Sequence, residues 1–187
     1  MAKSLDVAAV VGSLRRESFT RRFVAGLISL APASLKIEIV PIAQLPHYNQ
    51  DDESSPPEAW RNFRARIKRA DGILFATPEY NRSVPGVLKN AIDVGSRPYG
   101  SSAWARKPAA VISTSPGAIG AFGANHHLRQ SLVFLDMPAL QQPEMYIGGA
   151  DKLFDASGQW TQPGARDLAA KFLEAFEAWV SHNARPA

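Results

Sequence analysis

The strongest constraint on how this chain folds is an alternation. Short apolar runs, each stopped by glycine or proline, take turns with longer segments of helical periodicity. Leu5 to Val11 is an apolar run ended by Gly12, and Leu35 to Val40 alternates in the manner of a half-buried strand before Pro41. Gly72 to Thr77 and Ala109 to Ser113 are two further runs of buried-strand type, each closed by a nearby proline. Between these lie helical patterns over Ser18 to Leu30, Glu58 to Ala70, Pro85 to Val94, Asn125 to Leu135 and Gly164 to Val180. Strand followed by helix, repeated, with strands apolar along their length, predicts a parallel sheet covered on both faces by helices.

With 187 residues there is room for five strands, and for one domain spanning residues 1–187. A doubly wound α/β fold with the flavodoxin-like strand order 2-1-3-4-5 is favoured. In such sheets ligands bind beyond the carboxyl ends of the strands, where the winding reverses direction. Function is therefore expected in the segments that follow Val11, Thr77 and Ser113. The acidic stretch Gln50 to Pro57, rich in proline and serine, reads as a surface loop, and no internal repeat or linker is visible.

Composition narrows the chemistry. The chain has no cysteine, which excludes disulfides, thiolate metal sites and thiol nucleophiles, so any redox role must be carried by a bound cofactor. A formal net charge of +4 is too mild to argue for nucleic acid without clustering. No apolar run approaches the ~20 residues needed to span a bilayer. The N-terminus also runs straight into a strand pattern without a signal-peptide layout, so a cytoplasmic protein with no membrane association is expected.

The segment Gly12-Ser13-Leu14-Arg15-Arg16-Glu17-Ser18-Phe19-Thr20 puts small and hydroxyl residues where a helix begins. Free amides and hydroxyls there form an anion site. Arg15 and Arg16 sharpen the point, because the positive end of a helix dipole disfavours nearby cations unless an anion lies between. A capped helix, with Ser18 as N-cap and the arginines in water, explains the same residues equally well. The loop matches neither GxxxxGK[ST] nor GxGxxG, so a monophosphate ligand such as FMN suits it better than a nucleoside triphosphate or a dinucleotide.

After the third strand comes Thr77-Pro78-Glu79-Tyr80-Asn81-Arg82-Ser83-Val84-Pro85-Gly86. Prolines stiffen both ends of this turn, and Pro85 stands where a helix starts. Tyr80 offers an aromatic face and Asn81 amide groups, although a packing tyrosine and a solvated or arginine-paired Glu79 are equally ordinary readings.

GSLRRESF together with TPEYNRSVPGVLKNAID resembles the NAD(P)H-dependent FMN reductase family, and within it the bacterial quinone and chromate reductases. The likeness continues through SPGAIG, HLRQSLVFLD and PEMYIGG, and so covers nearly the whole chain. It implies that Ser13, Arg15, Ser18 and Thr20 hold the FMN phosphate, helped by the backbone at Leu14, Arg16, Glu17 and Phe19. Pro78, Glu79, Tyr80 and Asn81 would border the flavin ring, with a further contact from Ser115 in the loop Ser115-Pro116-Gly117. The resemblance also implies ping-pong hydride transfer from NADPH or NADH through FMN to a quinone, with chromate, azo compounds or free flavin as further acceptors. No catalytic side chain is expected, because the flavin carries the chemistry. A homodimer is implied, paired in some relatives into a homotetramer.

Rival readings are a flavodoxin-type electron carrier and a nucleic-acid-binding or interaction module built on Arg64, Arg66, Lys68 and Arg69. His126 and His127, followed by Asp136, suggest a metal, but adjacent helical side chains diverge by about 100° and cannot readily share one ion. No metal is expected, and His47 beside Tyr48 reads as structural or as part of the site's rim. Leu128, Leu132 and Leu135, with Val133 and Phe134, make the fourth helix apolar on more than one face, as in a helix that also covers a second subunit. Relatives commonly carry Arg and Tyr where this chain has Gly123 and His126, while Glu144 keeps the matching acid, so an inter-subunit network of that kind cannot form unchanged. Val94-Gly95 replaces a bulkier apolar pair, which predicts a wider or more mobile pocket there.

Overall fold

In the computed structural model, which describes residues 4–184, the apolar runs become one parallel sheet. Its strands are β1 (Leu5–Val11), β2 (Leu35–Val40), β3 (Gly72–Thr77), β4 (Ala109–Thr114) and the short β5 (Met145–Ile147). They lie in the order β2-β1-β3-β4-β5 with every neighbouring pair parallel, which is the expected flavodoxin-like arrangement. β3 and β4 are buried at every position, as strands covered on both faces must be, whereas the edge strand β2 alternates.

The pleat divides the core in two. Val7, Ala9, Leu74 and Ile112 point to one face and meet Phe23, Val24 and Leu27 of α1 (Phe19–Leu30) and Phe172, Leu173 and Phe176 of α5 (Pro163–Asn183). Ala8, Val10, Ile73, Phe75 and Val111 point to the other. There they meet Trp60, Phe63 and Ile67 of α2 (Glu58–Arg69), Leu88 and Ile92 of α3 (Gly86–Ser96), and Leu128 and Leu132 of α4 (Phe122–Phe134). The helical periodicity in each segment thus buries one stripe against the sheet.

Two expectations change on contact with the structure. The space over Gly95 is not open: the fully buried Trp104 fills it and donates its indole N–H to the Ile92 carbonyl at 2.9 Å, while Val94 lines a cavity of about 250 Å³ with Tyr48, Trp60, Arg64 and Pro98. A Cβ on Gly95 would come within 2.4 Å of that indole nitrogen, so glycine here makes room for a tryptophan supplied from nearby in sequence. The basic stripe on α2 is also largely committed within the molecule. Arg66 is only 11% exposed and pairs with Asp6 at 2.8 Å and Glu38 at 2.9 Å, while Arg64 reaches the Ser101 carbonyl at 3.1 Å. These arginines fasten α2 to the sheet and to the loop after α3. Among the described residues, no helix is long and apolar enough to cross a membrane.

Candidate functional site

The order β2-β1-β3-β4-β5 makes β1, β3 and β4 consecutive neighbours, so the loops leaving their carboxyl ends must converge. Two hydrogen bonds fix that convergence. The Gly12 amide donates to the Ala76 carbonyl at 2.8 Å, holding the first loop beside the second, and the Thr20 and Thr114 hydroxyls lie 2.7 Å apart, holding the start of α1 beside the third. Both threonines are buried.

In the first loop Ser18 is the N-cap of α1, and its hydroxyl accepts from the Arg21 amide at 3.2 Å. Ser13 is buried, Phe19 half-buried, and Leu14, Arg15, Arg16 and Glu17 are exposed. Among the described residues, the amides of Ser13 to Glu17 donate to no backbone carbonyl. The first turn of α1 carries no acid, and the one nearby carboxylate, Glu17, meets Arg16 only at 3.8 Å between well-exposed side chains. Arg15 is steadied by the Phe19 ring, its guanidinium carbon 5.3 Å from the centroid. The cap and the anion site therefore coexist: the hydroxyl of Ser18 serves the helix, while the preceding amides and two arginines leave positive charge uncompensated.

The second loop turns tightly. Tyr80 and Ser83 exchange backbone hydrogen bonds of 3.1 and 2.9 Å, with Asn81 at φ 50° and Arg82 at φ 62°; two consecutive positive φ angles are the mark of a type I′ turn. The turn pushes Tyr80 outward, to 56% exposure. Pro78 and Glu79 are half-buried behind it. Glu79 is not a free surface charge: its Oε2 accepts the Ala124 amide at 3.0 Å, at the start of α4. That helix begins after Ala121 at φ 61° and has no side-chain cap of its own. An acid supplied there satisfies an otherwise orphaned N–H and is favoured by the helix dipole, worth about 0.3–1 kcal/mol and up to about 2 when partly buried.

In the third loop the Ser115 hydroxyl accepts the Gly117 amide at 3.1 Å, leaving Pro116 and Gly117 exposed. Gly120 adopts φ 63°, and a Cβ there would lie 2.5 Å from the Tyr146 backbone, so its close approach is to β5 and not to a ligand. Below the loop, Ser113 donates to the Gly120 carbonyl at 2.7 Å and Asn125 donates to Ser113 at 3.3 Å.

The two histidines of α4 diverge as helical geometry requires. His126 Nε2 meets the Tyr146 hydroxyl at 3.0 Å beside Phe122, and His127 Nδ1 meets the Ser83 hydroxyl at 3.0 Å. Burial, followed by a hydrogen bond with Glu144, pushes the Tyr146 phenol up to about 12. His126 and Tyr146 are thus hydrogen-bonded to each other, with Glu144 acting on the Tyr146 phenol. The Tyr48 hydroxyl donates to Glu53 at 2.6 Å, its amide donates to Asn90 at 2.8 Å, and its ring lies beside Trp60. Among the described residues, no three His, Asp or Glu side chains gather as a metal site.

Residues 5–152 match the model of the NADPH-dependent FMN reductase family. The chain belongs to the NADPH-dependent FMN reductase family. It is 59% identical over 184 residues, 98% of each chain, to a quinone reductase of Pseudomonas putida. It is 48% identical over 95% of its length, and 97% of the relative's, to a 2-hydroxy-1,4-benzoquinone reductase of a Burkholderia species. Among solved structures, the flavoenzyme NAD(P)H:(acceptor) oxidoreductase FerB from Paracoccus denitrificans superposes with a TM-score of 0.92 at 39% identity, covering 97% of this chain and 100% of that one. Membership makes the protein an NAD(P)H-dependent FMN oxidoreductase, with FMN as cofactor and a reduced nicotinamide as hydride donor. The donor set fits that cofactor: amides and arginines without a balancing acid at a helix start suit a phosphate, and an adjacent rigid rim suits a flat ring.

Proposed function

We propose that the protein reduces quinones at the expense of NADPH or NADH, using FMN seated across the three loops. One observation carries the placement: the acid-free start of α1, with Arg15 and Arg16, stands beside the Pro78–Asn81 turn because β1 and β3 are neighbours. The quinone assignment rests on the names of the relatives in Pseudomonas and Burkholderia. In this reading Ser13, Arg15, Arg16, Ser18 and Thr20 hold the phosphate with the amides of Leu14 to Phe19, the Thr20 hydroxyl being steadied 2.7 Å from that of Thr114. Pro78, Glu79, Tyr80 and Asn81 border the ring on one side and Ser115, Pro116 and Gly117 on another.

When bound, FMN would supply the two-electron hydride chemistry that links the nicotinamide to the acceptor. The residues position, and exclude water: the tight turn at Tyr80 fixes the rim, and the exposed Tyr80 ring offers an apolar face against which a flat donor or acceptor can lie. An opening shared by both substrates favours a ping-pong order, and chromate, azo compounds or free flavin would enter by the same opening. The reduced nicotinamide such a cycle consumes is supplied in the cytoplasm, where we place the protein. Its second apolar helix face supports a homodimer. The purified protein should carry about one FMN per chain, absorb as oxidised flavin and bleach on anaerobic addition of NADPH or NADH. A colourless protein that takes up no FMN would overturn the reading.

A further inference from the structure

We propose that Glu79 is a positioning residue whose carboxylate holds the Pro78–Asn81 rim against the start of α4, and that Gly123 is the residue that lets it do so. This rests on the FMN reading for its consequence, though not for its geometry.

Ala124 is fully buried, its amide belongs to the uncapped first turn of α4, and its hydrogen-bond partner is Glu79 Oε2 at 3.0 Å, 45 residues away. A buried helix-start amide left without an acceptor is costly, so this bond fastens the Pro78–Asn81 end of the loop to the start of α4, beside the His127–Ser83 contact of 3.0 Å one turn further on. The side chain of Glu79 is only 14% exposed, and its other contact, to Arg82 at 3.4 Å, is a long one to a side chain that is 75% exposed. The bond to α4 is therefore its principal anchor.

Gly123 supplies the room. A Cβ at that position would stand 2.9 Å from Glu79 Oε2 and 3.0 Å from the Arg82 carbonyl oxygen. The carboxylate could swing aside, but the Arg82 carbonyl sits in the backbone of the tight Tyr80–Ser83 turn and has little freedom to move. A Cβ at position 123 therefore requires the carboxylate to move aside from the Ala124 amide, or the turn to give by a few tenths of an ångström.

The consequence for function follows from where the two ends lie. Glu79 is part of the rim after β3, and α4 follows directly on the loop Ser115 to Gly120 after β4. The carboxylate thus sets the spacing between two walls of the proposed flavin site. Its charge is at the same time turned to the positive end of a helix and away from open solvent.

The test compares the parent protein with Gly123→Ala, Glu79→Ala, Glu79→Gln and the pair Gly123→Ala/Glu79→Ala, with two readouts. In FMN titration of the apoproteins, each alanine variant should bind roughly tenfold more weakly, and the pair no more weakly than either single, because both break one linkage. Glu79→Gln keeps an oxygen acceptor and should remain within about threefold of the parent. Amide exchange followed by NMR, without flavin, should show Ala124 protected in the parent and in Glu79→Gln and exposed in the alanine variants, while β3 amides keep their protection as evidence of an intact fold. Additive losses in the pair, parental FMN affinity in Gly123→Ala, or unchanged Ala124 exchange in Glu79→Ala would overturn the proposal. Should Glu79→Ala unfold, Gly123→Ala decides by both readouts. Failure of the parent itself to bind FMN would contradict the flavin reading, and the exchange data would still decide the linkage.

Discussion

Arg15 and Arg16 stand where a helix start disfavours cations, and no acid in the first turn of α1 offsets them. A phosphate between the loop amides removes the conflict, and charge-assisted hydrogen bonds of that kind contribute about 1.5–3 kcal/mol each. Arg15→Ala should accordingly raise the FMN dissociation constant by roughly ten- to a hundredfold. Arg64→Ala, which removes a tie between α2 and the Ser101 carbonyl, should leave it near the parental value. Equal dissociation constants for the two variants, measured by fluorescence titration, would contradict the placement of the phosphate. At this scale the sequence was legible where the physics is local. Ser18 caps α1 because a capping hydroxyl acts on an amide three residues on, and that pattern can be read directly. Glu79 with Ala124, and Thr20 with Thr114, were not legible, since their partners lie 45 and 94 residues away and no local rule pairs them.

Helices and strands were readable to the extent that each element satisfies its own backbone. β1, β2 and β3 fall on the apolar runs, and β4 extends one residue beyond its run to Thr114. β5 was not locatable because three residues at the sheet edge carry too little pattern to stand out. The periodicity places α4 from Asn125, but the helix begins at Phe122, since its first turn is completed by an acid from another loop. Leu128 and Leu132 bury one face of α4 against the sheet, while Val133 and Phe134 are 81% and 75% exposed at its far end. Two large apolar side chains side by side on a surface helix suit a subunit contact. If they form one, Val133→Asp/Phe134→Ser should shift the protein from dimer to monomer in light scattering while circular dichroism is unchanged. A double variant with the parental mass would show that the dimer, if present, uses another face.

For the molecule as a whole, strand order is what turns scattered motifs into a site. The segments around Ser13, Tyr80 and Ser115 are far apart in the chain and meet only because β1, β3 and β4 are neighbours. That convergence was legible from the alternation of strands and helices, because a doubly wound sheet places its ligand at the reversal of winding. Of the room expected at Val94-Gly95, the part at Gly95 is lost to packing: glycine signals room, but not which side chain takes it, and Trp104 does, while Val94 still lines a cavity. The absence of cysteine acquires its meaning at this scale too, for a two-electron flavin cycle needs no thiol.

The most direct measurement is steady-state kinetics on the FMN-loaded protein with NADPH and NADH in turn, against a panel of quinones. Oxidation of at least one nicotinamide should depend on both bound FMN and quinone, with parallel lines in double-reciprocal plots as the acceptor is varied. No quinone-dependent oxidation of either nicotinamide by the flavin-loaded protein would contradict the assignment.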